Sequence, residues 1–144
     1  IEVKFWAKDS LFTIPVFGRW LRWLGGVPLM RKAASGVVAQ MVALIQRKKA
    51  ESSYFWLALS PEGTRSYQPG WRSGFYRVAL EAGVPLALAS LDYSKKTLVL
   101  RHYMQLSGDT EQDMQDIALV YEGVRGFRHG QAAPIQLLEQ EKKS

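Results

Sequence analysis

Two hydrophobic rhythms alternate along this chain. Short runs rich in β-branched and aromatic residues are separated by stretches whose apolar positions recur every three or four residues. Glu2 to Ala7 reads as a strand. Ser10 to Ile14 leads into Pro15, a favourable first-turn residue, and Val16 to Leu24 with Gly25-Gly26 as the stop predicts a short helix. Val27 to Met30 predicts a second strand. Ser35 then stands where it can cap a helix with apolar residues at Val37, Val38, Met41, Val42, Leu44 and Ile45. Its last turn carries Arg47, Lys48 and Lys49, the sign that the negative end of a helix dipole favours.

Tyr54 to Leu59 is apolar without alternation, the pattern of a strand covered on both faces, and is therefore expected at the centre of the sheet. A polar loop from Ser60 to Gly70 follows, then a helix from Trp71 to Ala82 ended by Gly83. Strands are predicted over Pro85 to Leu91 and Thr97 to Leu106. The last helix, Asp109 to Glu122, opens on acids and sets Met114, Ile117, Ala118 and Tyr121 on one face. The order βαβαβαββα predicts an α/β fold: one layered domain with a central, largely parallel or mixed sheet flanked by helices. The domain is expected to occupy residues 1–127, with 128–144 as a frayed or weakly helical tail.

Composition agrees with a folded domain. At 144 residues, 47% hydrophobic and 12% aromatic, the chain has enough apolar mass for a core, which excludes disorder and fibrous structure. The net charge of +6 is unevenly spread. Residues 1–50 carry nine basic and two acidic side chains, whereas residues 101–144 carry five and seven, so an anionic partner is expected at the N-terminal end. The absence of cysteine excludes disulfides, thiolate metal sites and a cysteine nucleophile, and His102 and His129 alone do not make a histidine-rich metal site. No apolar run reaches the roughly 18 to 20 residues of a membrane span, and the start lacks a signal-peptide pattern. The chain opens at Ile1 inside a strand, as a piece of a longer protein would.

In an α/β sheet, ligands gather at the carboxyl ends of strands, and there the expected central strand runs into Ser60-Pro61-Glu62-Gly63-Thr64-Arg65-Ser66. Gly63 permits close backbone approach, Thr64 and Ser66 supply hydroxyls, and Arg65 offers a planar fork for phosphate. Glu62 suits this setting if it holds Arg65 or accepts from a substrate hydroxyl. Taken alone, a Pro-Glu-Gly-Thr stretch is more often an ordinary turn with a surface ion pair.

The context changes that balance. The seven-residue loop after an apolar strand resembles the signature block of the phospholipid and glycerol acyltransferases, the PlsC-type lysophosphatidic acid acyltransferases. Lys8 through Gly18 is similar to the segment that follows that family's first block, Gly26-Val27-Pro28-Leu29-Met30-Arg31 to the second, and Gly83-Val84-Pro85-Leu86-Ala87-Leu88 to the fourth. The resemblance covers about Lys4 to Tyr93. Ser60 stands where Phe is usual, Leu88 where a second Pro is common, and Met30 at a position often polar. The family's catalytic block, a His and then an Asp after four intervening residues, is absent: Ser107 stands five positions after His102 and Pro134 five after His129. That block is expected upstream of Ile1, which leaves no catalytic residue in this chain.

The resemblance implies an O-acyltransferase that moves a fatty acyl group from a thioester to a glycerol hydroxyl of a lysophospholipid or glycerol phosphate. His would act as general base, Asp would orient it, and acyl-CoA or acyl carrier protein would be co-substrate, with no cofactor. The implied phosphate-binding residues are Arg65, Arg31, Gly63, Thr64, Glu62 and Ser66, with Lys8 a weaker anion contact. A chain that kept this pocket without the catalytic block would instead be a non-catalytic module binding an anionic lipid or membrane surface.

Other features carry less. In the first predicted helix Gly18, Arg19 and Arg22 form a narrow polar wedge beside Trp20 and Trp23, a composition suited equally to burial and to an anionic membrane surface, here the cytoplasmic face. His102 reads as a half-exposed strand residue. Arg125, Arg128 and His129 form a basic cluster whose default is a solvated tail, and Trp71, Arg72, Phe75 and Tyr76 line either core or a lipid groove. Nucleic acid is disfavoured because the tryptophans lie in apolar runs rather than among Lys and Arg.

Overall fold

A computed structural model describes residues 2–8, 19, 23, 26–29, 34–64 and 66–138. Its contacts divide the chain into two compact units, Ile1–Ser60 and Pro61–Ser144. The α/β class and the order of elements follow the expectation.

The first unit is built on three parallel strands, β1 (Glu2–Lys8), β2 (Gly26–Leu29) and β3 (Phe55–Ala58), with helix α1 (Ala34–Ala50) between β2 and β3. β1 pairs with β2 from Phe5↔Gly26 to Lys8↔Leu29, and with β3 from Glu2↔Phe55 to Phe5↔Ala58. The order is therefore β2-β1-β3, and β1, not β3, is the middle strand. β3 is also not covered on both faces: Trp56 is 38% exposed and the strand alternates between half-buried and exposed residues. An apolar run without alternation looks the same whether its second face is buried or open.

On α1 the residues Val38, Met41 and Ile45 are buried, three and four positions apart as one face of a helix requires. The helix begins at Ala34, so Ser35 lies inside its first turn rather than at the cap. Its end is closed by Ser52 N–H donating to the Lys49 carbonyl and Ser53 N–H to that of Lys48, both at 3.0 Å. This pattern needs a left-handed residue, and Ser52 takes it with φ +49°. Glu51 meets Arg47 at 3.7 Å and Lys48 at 3.3 Å across the same end.

The predicted helix over Val16 to Leu24 lies outside the described residues except at Arg19 and Trp23. Both stand in helical backbone and are exposed.

The second unit holds α2 (Gly74–Ala82), an antiparallel pair β4 (Leu86–Asp92) and β5 (Thr97–Met104), α3 (Thr110–Val120) and a 3-10 turn (His129–Gln131). Phe75, Tyr76, Val78, Ala79 and Ala82 form the buried face of α2, and the core also takes Leu88, Leu106, Met114 and Ile117. α2 starts three residues later than its pattern suggested because Trp71 is held otherwise. Trp71 forms a parallel bridge with Leu137: its N–H donates to the Gln136 carbonyl at 2.7 Å and its carbonyl accepts from Leu138 N–H at 2.8 Å. Gly83, at φ +60°, ends the helix as expected.

Asp113 knits this unit together. It is 3% exposed, and its carboxylate accepts from Tyr76 Oη at 2.7 Å, Ser107 Oγ at 2.8 Å, and the backbone N–H groups of Ser107 and Gly108 at 3.0 and 3.2 Å. β5 ends at Met104, short of Leu106, where its partner β4 begins at Leu86. Burial works to raise the Asp113 pKa, but hydrogen bonds from the Ser107 backbone, Tyr76, the Ser107 hydroxyl and Gly108 outweigh it and hold the carboxyl below its ordinary value. Asp109 caps α3 by accepting from Gln112 N–H at 3.1 Å.

The segment beyond Phe127, expected to be frayed or weakly helical, carries the 3-10 turn and is docked as far as Leu138. Ala133 is buried, and Gln136 Nε2 donates to the Pro69 carbonyl at 3.0 Å.

Candidate functional site

The three strands of the first unit run parallel, so their carboxyl ends lie on one side of the sheet. Lys8 ends β1 there, in register with Leu29 of β2, and β3 leaves toward the polar loop from the same side. This is where an α/β sheet places its ligands. Lys8 thus sits on the expected side by its backbone position. Arg31 and Arg65 lie outside the described residues.

The loop itself is described at Pro61 to Thr64 and at Ser66, all in the second unit. Gly63 has φ +65°, and a Cβ added there would meet Arg72 Nε at 2.9 Å and Cδ at 3.0 Å. The left-handed conformation calls for glycine, and a Cβ would in addition oblige the exposed Arg72 side chain to shift. The close approach is fixed from the other side as well, since Arg72 N–H donates to the Pro61 carbonyl at 2.9 Å. The outcome is a left-handed turn with a guanidinium laid across its backbone.

Thr64 Oγ1 accepts from Ser66 N–H at 3.2 Å, folding the hydroxyl back over the turn. Its own hydrogen stays available to donate, and Ser66 is exposed. Glu62 does something the sequence did not suggest: its Oε1 accepts from Ala133 N–H at 3.1 Å, tying the loop to the docked C-terminal segment. An open cavity of about 390 Å³ adjoins it, lined by Glu62, Gly126, Phe127, Arg128, Gln131 and Ala132.

Thus Glu62, Gly63, Thr64 and Ser66 come together as one turn. Arg72 and Ala133 join them without having been foreseen at this place. Arg72 was legible only as a residue of a predicted helix, and the partner of Glu62 lies 71 positions along the chain. No local pattern announces either. Behind the loop, Trp71 is packed edge-on against Phe75 and Tyr121, each with ring centroids 5.7 Å apart, and its Nε1 is buried without a partner among the described residues. This rigid aromatic anchor holds Arg72 in place.

The turn gathers a glycine backbone, hydroxyl groups and a guanidinium, which are groups able to receive an anion, and comparison with known proteins supplies the class. An acyltransferase family profile matches residues 2–89, more than half of the chain, and the chain belongs to this family, of the PlsC type. It is similar to a chloroplastic 1-acyl-sn-glycerol-3-phosphate acyltransferase, BAT2, of Brassica napus, with 32% identity over 91 residues, 61% of this chain. The chain spans only about a quarter of that relative's length, since the match covers 26% of it. No solved structure matches the chain.

Proposed function

We propose that the chain is the acceptor-binding part of an O-acyltransferase that moves a fatty acyl group from acyl-CoA or acyl carrier protein to a glycerol hydroxyl of a lysophospholipid or glycerol phosphate, in the service of phospholipid biosynthesis. One observation carries this reading: the family's signature loop forms a left-handed turn at Gly63 with the Arg72 guanidinium against it. Exposed hydroxyls, an unhindered glycine backbone and guanidinium groups are what a phosphate dianion binds best. Arg65 and Arg31 are assigned to the phosphate, Thr64 and Ser66 to hydroxyl contacts and Lys8 to a weaker charge contact. Glu62 keeps a second carboxylate oxygen for a glycerol hydroxyl while the first holds Ala133.

In this scheme a His-x4-Asp block outside the chain removes the proton from the acceptor hydroxyl, and the resulting alkoxide attacks the thioester carbonyl directly. No covalent acyl-enzyme or cofactor takes part. The contribution of residues 1–127 is positioning: fixing the phosphate fixes the distance from hydroxyl to base. The domain acts at the cytoplasmic face of a membrane, held peripherally or by a segment outside this chain. Exposed Arg19 and Trp23, one helical turn apart, support a surface contact there. Among the described residues no helix is long and apolar enough to cross a membrane.

The test is an acyl-transfer assay of the full-length protein with Arg65→Ala. Loss of a charged contact raises the acceptor KM about ten- to a hundredfold with little change in kcat. An unchanged KM overturns the phosphate assignment. The alternative reading is a non-catalytic module that binds an anionic lipid or membrane surface. Under that reading the full-length protein transfers no acyl group to any acceptor yet still binds lysophospholipid.

A further inference from the structure

The β4–β5 hairpin exposes apolar side chains where a solvated strand pair would carry polar ones. In β4 the buried residues Leu88 and Asp92 alternate with exposed Ala89 and Leu91, so one face of the ladder enters the core and the other is open. Leu91 is paired with Leu98, and Ala89 with Leu100, which brings three leucines onto the open face. Leu91, Leu98 and Leu100 are 57%, 69% and 44% exposed. The patch continues beyond the strands. Tyr93, at the turn, donates its N–H to the Arg125 carbonyl at 2.8 Å, and its ring lies 5.4 Å from that of Phe127, which is 74% exposed. An aromatic pair thus caps the end of the leucine face.

The charge around this patch has one dominant sign. Lys95 and Lys96 form the turn, and Arg125 stands beside Tyr93; all three are exposed. The acid at the turn, Asp92, is buried beneath it, where it accepts from Ser94 Oγ at 2.6 Å and Ser94 N–H at 2.9 Å. Its other oxygen lies 3.5 Å from Lys95 Nζ. Asp92 therefore shapes the turn without presenting a carboxylate to solvent.

We infer that the tip of the β4–β5 hairpin, with Phe127 beside it, is a docking surface for an anionic lipid bilayer. Leucine and aromatic side chains enter the boundary between headgroups and acyl chains, and the lysines of the turn meet the anionic headgroups. Charge and apolar area together favour this partner: a second copy would bring like charges against like, a neutral apolar partner would leave the lysines unanswered, and an acidic protein is the rival that vesicle binding separates. This contact involves residues of the second unit alone. It names a surface for the membrane association proposed above and does not depend on the phosphate role of the signature loop.

The experiment is sedimentation of the 144-residue chain with vesicles of diacyl phospholipids only, either neutral phosphatidylcholine or phosphatidylcholine containing phosphatidylglycerol. Because these vesicles carry no acyl acceptor, failure of the phosphate-loop reading leaves the result untouched. The wild-type chain is expected on anionic vesicles and to be released by salt. Lys96→Glu and, separately, Leu98→Glu are each expected to weaken that binding about tenfold or more, with unfolding temperature unchanged. Absence of wild-type binding overturns the proposal, as does wild-type binding by both hairpin variants. A self-association that Leu98→Glu abolishes also overturns it, because the face is then covered by another copy.

Discussion

Glycine at position 63 and serine at position 52 occupy the same left-handed region for opposite reasons. At Gly63 the conformation favours glycine, and a Cβ would push the Arg72 side chain from its place. Gly63→Ala is therefore expected to destabilise the protein by about 1 to 2 kcal/mol and to displace Arg72, lowering acceptor kcat/KM in the full-length enzyme by tenfold or more; steady-state kinetics and urea unfolding measure the two effects. Ser52 has φ +49° with no such purpose, so Ser52→Gly is expected to raise stability by about 0.5 to 1 kcal/mol, read as an increase in the urea midpoint at constant slope. Glu62 offers a finer comparison. Glu62→Gln keeps an oxygen for Ala133 N–H and holds stability near wild type, whereas Glu62→Ala leaves that donor without its partner and costs about 1 kcal/mol. The glycine at 63 was legible from the motif; what it accommodates was not, because Arg72 meets it only once the loop has closed.

At the level of elements, the order of strands and helices was readable from periodicity, and the errors have identifiable physical causes. α2 lost its expected first residues because Trp71 pairs with Leu137, a partner that no window of helical length contains. β5 stopped early because its partner strand begins at Leu86, directly after Pro85, and gives Gln105 and Leu106 nothing to pair with; beyond it the N–H groups of Ser107 and Gly108 turn to Asp113. That carboxylate joins α2, the end of β5 and the start of α3, and Asp113→Ala is expected to cost about 3 kcal/mol by stranding several buried donors. Its pH dependence has a definite sign. The folded pKa lies below the ordinary 3.8, so the contribution is fully present above that value and is lost as pH falls through the lower, folded pKa. Acid unfolding followed by circular dichroism is therefore expected to show a stability loss below pH 3.8 that Asp113→Asn lacks.

For the molecule as a whole, the sequence made a class and a binding loop legible but mistook which strand lies in the middle. β3 has the most uniformly apolar stretch, yet β1, with Lys4 and Lys8 in it, is flanked on both sides. Hydrophobicity reports how many faces a strand can bury, whereas position in a sheet depends on pairing between distant segments. Charge at this scale was better anticipated: the basic surplus of the first fifty residues is real, although the hairpin basic cluster at Lys95 and Lys96 lies well beyond it. The central place of β1 also bears on how the protein is made. Its partners are residues 26–29 and 55–58, so as the ribosome releases the chain, Val3-Lys4-Phe5-Trp6-Ala7 waits with an open edge until Ala58 has emerged. During that interval it is a natural client for a nascent-chain chaperone, and slowing translation after residue 29 would lengthen its exposure to aggregation.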